Sequence, residues 1–215
     1  SGRPRQLTQL TDPDGYEGDP AWSPDGRTIA FTRVVPQLGG RPGQRSAIFL
    51  LDVARGTTRE LSITGLAGAN LSEPEWVHRG REISFVAQDK QGNSGFCIVP
   101  SSGGQASPIG EESLRVRAPS FAPDGDVMAY FASDSSGRTQ MWVQKLKATG
   151  SIDGPAVRVT NHADVTPTRI RWLAGASSLL YSADGRMWKV ASSGGQPAEV
   201  KFTAQLTIVR PRPSF

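Results

Sequence analysis

Apolar positions along this chain fall in short runs, with no helical periodicity anywhere. Thr28-Ile29-Ala30-Phe31, Ile83-Ser84-Phe85-Val86, Val127 to Phe131 and Leu179-Leu180-Tyr181 are each brief and rich in strand-favouring residues. A large aromatic precedes every run, and a turn lies between. The clearest turns are Ser23-Pro24-Asp25-Gly26 and Pro123-Asp124-Gly125. Proline presets φ at the first central position of such a turn. Asp tolerates the next position, and Gly takes the left-handed conformation that closes a bulged hairpin. The pattern predicts strand, tight turn, strand.

The unit repeats. The aromatic pairs are Trp22 and Phe31, Trp76 and Phe85, Phe121 and Tyr130, and Trp172 and Tyr181, each nine residues apart. Two copies have lost Pro-Asp-Gly, to His78-Arg79-Gly80 and to Ala174-Gly175, but each keeps a glycine for its turn. Third strands are expected at 47–52, 96–100, 140–143 and 187–190. The near-identical turns VPSSGGQ (99–105) and VASSGGQ (190–196) follow two of them. Fourth strands are expected at 58–61, 105–109, 156–160 and 196–200. Four antiparallel strands, repeated with Gly-rich turns at this length, are propeller blades. The predicted fold is therefore an all-β propeller with blades at about 12–61, 62–109, 110–160 and 161–200, and a strand or linker tail at 201–215.

The ring is not expected to close on itself. Residues 5–11, RQLTQLT, read as a further fourth strand with no first three before it. Four blades are the low end of propeller sizes. An open ring exposes sheet faces and edges. The chain reads as part of a larger or incomplete ring, completed by a further domain or by self-association.

Composition narrows the function. Gly 24 and Pro 16 suit a turn-dense β chain, and the net charge of +4 is modest. Arginines recur in i, i+2 pairs, which share one face of a strand. No contiguous basic stretch or recognised motif accompanies them, so nucleic acid is not an expected partner. Cys97 is the one cysteine, which excludes an internal disulfide, and it reads as a buried thiol in an apolar strand. No segment approaches the roughly 20 apolar residues of a membrane span. Ser1-Gly2, with no methionine, fits an exported protein that has lost its leader, and equally a cloned fragment.

Catalytic patterns are absent. His78 and His162 fall in a turn and a loop, without the spacing of a zinc site, and no Gly-x-Ser-x-Gly elbow occurs. DPDGYEGD (12–19) is dense in oxygen ligands but lacks a calcium-loop frame and reads as a solvated turn. No cofactor or metal is expected. Trp22, Trp76, Trp142, Trp172 and Trp188 recur in register and read as core or blade-to-blade packing. Candidate binding residues come from the position three before each first aromatic, where the chain enters the innermost strand beside the central channel. Asp19, Glu73, Ala118 and Arg169 stand there, with Arg117 and Arg171 close by. Asp19, Glu73, Arg117, Arg169 and Arg171 are taken as a candidate channel mouth. Longer loops on one end, at 32–46 and 62–72, are the other expected binding element.

LTDPDGYEGDPAWSPDGRTIAF (10–31) resembles the WD-like repeat of the TolB-type propellers, and SSGGQ before the fourth strand is similarly typical. The resemblance covers about 5–200. It implies a propeller fold and leaves two functions open. TolB itself is a periplasmic protein-interaction module, which implies a non-catalytic chain that binds protein or peptide, in the periplasm or outside a bacterial cell. Similar propellers also filter substrate in prolyl-oligopeptidase-like and tricorn-like proteases, or precede metal-dependent amidohydrolase domains. The segment EVKFTAQLTIV (199–209) is similar to the connector of the amidohydrolase-fused forms, with Lys201 where proline is usual.

Overall fold

A computed structural model describes residues 5–10, 15–37, 43–66, 68–109, 116–122, 124–147, 150–173 and 177–203. The described residues contain strands, one 3-10 turn and no α-helix. The first sheet joins β1 (Glu17–Trp22), β2 (Thr28–Pro36), β3 (Gln44–Asp52) and β4 (Thr57–Glu60) in sequence order. After β5 (Ile63–Thr64), the second sheet is built from β6 (Asn70–Val77), β7 (Glu82–Gln88), β8 (Ser94–Pro100) and β10 (Ser107–Ile109), with β9 (Gly104–Gln105) between the last two. The third holds β11 (Val116–Phe121), β12 (Val127–Ser133), β13 (Thr139–Lys145) and β14 (Val157–Arg158). The fourth holds β15 (Arg171–Trp172), β16 (Ser178–Ala183), β17 (Arg186–Ala191) and β18 (Ala198–Glu199). Every neighbouring pair within these sheets is antiparallel.

Sheets pack face to face in sequence, so the two middle ones bury both faces against neighbouring sheets and the first and fourth one each. Ala30, Ile48, Leu50 and Leu61 of the first meet Ile83, Phe85, Cys97 and Val99 of the second. Val86 and Phe96 of the second meet Met128 and Tyr130 of the third. Phe131, Met141 and Val143 of the third meet Leu179, Tyr181 and Val190 of the fourth. Strand alternation explains the division: successive side chains point to opposite faces, so Tyr130 and Phe131 serve different junctions. The second aromatic of each repeat faces the preceding sheet. Phe31 has no preceding sheet among the described residues and packs with Ile29, Leu51 and Leu7.

The turns follow their sequences. In the first sheet the Ser23 hydroxyl donates to Asp25 at 2.6 Å and accepts the Thr28 amide at 2.9 Å, with Gly26 at φ 69°. In the second sheet the missing Pro-Asp-Gly becomes the 3-10 turn His78–Gly80, with His78 and Arg79 both left-handed. Ala174-Gly175 lies outside the described residues.

Three expectations need correction. Residues 5–10 form no strand; Leu7 instead lies over the outer face of the first sheet. The expected long loop at 32–46 is mostly ladder. Pairing runs from Thr28↔Asp52 to Pro36↔Gln44, because the β-branched pair Val34-Val35 extends the strand. Likewise β5 and the start of β6 occupy part of 62–72. Finally, Trp22 is 54% exposed rather than packed between blades.

Candidate channel-mouth site

The innermost strands share an irregularity. The register of β1 with β2 shifts between Gly18 and Ala21, that of β6 with β7 between Ser72 and Glu75, and that of β11 with β12 between Arg117 and Ser120. The residue inside each shift is left-handed: Asp19 at φ 52°, Glu73 at 54° and Ala118 at 48°. A proline follows each one. Left-handed backbone costs an ordinary residue roughly 1–2 kcal/mol, and such strain gathers at functional sites. Here it releases one side chain per sheet from the ladder.

Those side chains gather around one cavity of about 370 Å³. Asp19, Glu73, Glu75, Arg169 and Arg171 supply its charges, and Pro20, Pro74, Pro119 and Pro167 much of its remaining wall. Four of the five predicted residues thus come together. Arg117 stands apart, in a neighbouring groove with Arg45 and Asn70, and reaches Glu73 only at 4.0 Å.

The acids also tie sheets to one another. Asp19 Oδ2 accepts the Thr32 hydroxyl at 3.0 Å and the Glu73 amide of the next sheet at 3.4 Å. The Glu73 carboxylate in turn accepts the Ala118 amide of the third sheet. Ala118 has no carboxylate to continue the series. Burial pushes the Glu73 carboxyl up, against the opposing pull of the Ala118 amide and Arg117.

Glu75 is the site residue that the sequence reasoning passed over. Its Oε2 is sealed from solvent and has no hydrogen-bond partner among the described residues. Burial raises its carboxyl to about 7, with Arg169, Arg171, the Phe121 amide and the Ser120 hydroxyl pulling weakly the other way. One signal was available: Glu75 directly precedes Trp76, as Arg171 directly precedes Trp172. Arg169 is half-buried and Arg171 exposed, and neither makes a hydrogen bond or contact ion pair among the described residues.

Two other polar sites carry internal pairs. A groove of about 520 Å³ between the first two sheets holds Asp25, Asp52, Arg55, Arg59 and Arg79. There Asp52 already pairs with Arg55 at 2.6 Å, and Asp25 accepts bonds from its own turn. His162, read from sequence as a loop residue, bridges Asp184 through Nδ1 at 2.7 Å and the Tyr181 hydroxyl through Nε2 at 2.8 Å. The hydrogen bonds place the proton on Nδ1, donating to the carboxylate. Tyr181 is 2% exposed, so its hydroxyl is held inside by a trio that ties the fourth sheet together. Among the described residues no cluster of His, Cys, Asp and Glu could hold a metal ion. Part of the acidic stretch 12–19 lies outside them. No helix among them is long and apolar enough to cross a membrane.

Radially packed four-stranded sheets around a charged central cavity define a β-propeller. The TolB beta propeller domain family matches residues 2–154, and the chain belongs to that family. It is 29% identical over 140 residues to a protein TolB homolog of Chlorobium luteolum, an alignment spanning 65% of this chain and 29% of that protein. It superposes on a putative TolB from Agrobacterium tumefaciens with a TM-score of 0.69, at 14% identity, over 93% of this chain and 66% of that one. Porphyromonas gingivalis dipeptidyl peptidase 4 also matches, with a TM-score of 0.54 and 15% identity over 86% of this chain and 30% of that one. These structural likenesses establish the fold.

Proposed function

We propose that this chain is a non-catalytic propeller module that binds a protein or peptide through one end of its ring, in the periplasm or outside a bacterial cell. The carrying observation is the central cavity, where Arg169 and Arg171, without contact ion pairs, meet Glu75 with its unpartnered oxygen beside three bulged inner strands. Folded interiors pair their buried charges, so charges left facing a cavity favour an external partner. Membership of the TolB propeller family supports the same reading. The connection between β2 and β3, within the 32–46 stretch, and the inner strands supply the rest of the binding surface.

A second reading has this chain as the substrate-gating propeller of a larger hydrolase, an amidohydrolase or a serine peptidase, with the active site elsewhere. The likeness to dipeptidyl peptidase 4 favours it. So does the amidohydrolase-type connector at 199–209, most of which lies outside the described residues. Either way the expected outcome for this chain is no turnover of amide or ester substrates above background. On the first reading, immobilised chain retains a discrete protein from periplasmic extract, and replacing residues 37–43 with a two-residue turn abolishes retention. Turnover would contradict both readings. Retention that survives the replacement would move the binding surface elsewhere.

A further inference from the structure

The repeat places opposite charges at equivalent positions. Glu73 and Glu75 stand three and one residues before Trp76; Arg169 and Arg171 stand three and one before Trp172. All four line the same cavity, yet no contact ion pair joins the acids of the second sheet to the bases of the fourth. Two of the cavity's acids are already occupied. Asp19 accepts from Thr32 and the Glu73 amide, and Glu73 accepts from the Ala118 amide. Glu75 meets the Phe121 amide and the Ser120 hydroxyl, but its Oε2 has no partner, and Arg169 and Arg171 make no contact ion pair. Burial lowers the Arg169 guanidinium from its usual range, Glu75 raising it and Arg171 lowering it further. Two guanidinium groups without contact ion pairs, beside a carboxyl with a sealed, unpartnered oxygen, are an incomplete set of interactions.

We infer that the channel mouth takes a peptide carboxylate between Arg169 and Arg171, and that Glu75 takes up a proton as the ligand replaces it as their counter-charge. The inference rests on the peptide-binding reading and specifies its chemistry. Planar guanidinium groups match carboxylate geometry with paired N–H donors. Asp19 and Glu73 in the same cavity oppose a dianion, so a singly charged carboxylate fits better than phosphate. The charged groups that act on Glu75 are Arg169 and Arg171 at the entry to the fourth sheet, and Asp19 on β1 and Glu73 on its own strand line the same cavity. The β7 residue opposite Glu75 is uncharged Ser84. A bound anion adds negative charge and therefore favours protonated Glu75. The free carboxyl titrates near 7. Affinity is thus highest below that pH and falls above it, by up to about tenfold per pH unit.

The test is calorimetric titration of the folded protein at pH 6 and pH 8 with three peptides. One is acetylated and amidated with internal glutamates, one has a free C-terminal carboxylate and no acidic side chain, and one is neutral. We expect at least one carboxylate peptide to bind more tightly at pH 6 and to take up a proton on binding at pH 8, where Glu75 starts ionised; which of the two does so identifies the source of the carboxylate. Arg171→Gln, a substitution at an exposed position, should weaken binding about tenfold. Glu75→Gln should bind at pH 8 as the parent does at pH 6 and lose the pH dependence. No binding of either carboxylate peptide by folded protein would overturn the inference. So would binding indifferent to Arg171→Gln, or pH dependence unchanged in Glu75→Gln. Protein retention that requires residues 37–43 but survives Arg169→Gln with Arg171→Gln would discard the carboxylate site and leave the broader reading intact.

Discussion

Trp22 and Trp76 occupy the same place in their repeats but not the same environment. The Trp76 indole donates to the Ala21 carbonyl of the preceding sheet at 3.0 Å, and Trp172 donates likewise to the Ser120 carbonyl at 3.1 Å. Trp22 has no preceding sheet to reach among the described residues and stands 54% exposed. Phenylalanine at Trp76 keeps the ring and deletes one hydrogen bond across a sheet junction. We expect Trp76→Phe to cost about 1 kcal/mol in denaturant unfolding, and Trp22→Phe to lie within about 0.5 kcal/mol of the parent. Equal losses would show that the junction bond carries no weight. At this scale the sequence was half legible. The nine-residue spacing identified Phe85, Tyr130 and Tyr181 as core, and they are 0%, 6% and 2% exposed. It could not separate Trp22 from Trp76, because what distinguishes them is a neighbouring sheet and not a local pattern. Glu75 escaped notice for the same reason: its sealed oxygen is a product of contacts with the third and fourth sheets.

The SSGGQ turns show how a local signal acquires a tertiary purpose. After the third strand of the second sheet, β9 runs parallel to β5 in a small separate pair, and the Gly104 amide donates to the Ser62 carbonyl at 2.9 Å, clasping the end of the first sheet's outer connection. Gly103 sits at φ 97°, and a Cβ there would lie 2.7 Å from the Ser62 carbonyl oxygen. Its counterpart Gly194 is also left-handed, at φ 90°, but its Cβ would meet nothing closer than Val159 at 4.0 Å. Both glycines to alanine carry a backbone penalty of about 1 kcal/mol, and Gly103→Ala adds a backbone clash. Gly103→Ala should therefore cost about 2–3 kcal/mol in unfolding free energy against about 1 kcal/mol for Gly194→Ala. Identical costs would mean the clasp yields freely. Sequence supplied the turn and its glycines. The parallel clasp was invisible, since β5 and β9 are two residues each and carry no periodicity of their own.

As a whole, the molecule is an arc of sheets with unlike ends. The first sheet's free face is apolar, with Ile29, Phe31 and Leu51 under Leu7. On the fourth sheet the face turned from the third pairs Leu180 with Lys189 and Ser182 with Met187, and Lys189 is exposed. The arc, its four-stranded sheets and the convergence of Asp19, Glu73, Arg169 and Arg171 follow from aromatics and turns at fixed spacing. The occupants of the axis follow from charges at repeat-equivalent positions. The measurement that bears most directly on the account is amide hydrogen exchange of the chain with and without its retained protein. Slowed exchange should centre on the cavity-lining bulges at Glu73 and Ala118 and on the connection between β2 and β3. Protection confined to the Ser-Pro-Asp-Gly end, or to the outer strands β4, β14 and β18, would contradict a binding site on the channel axis.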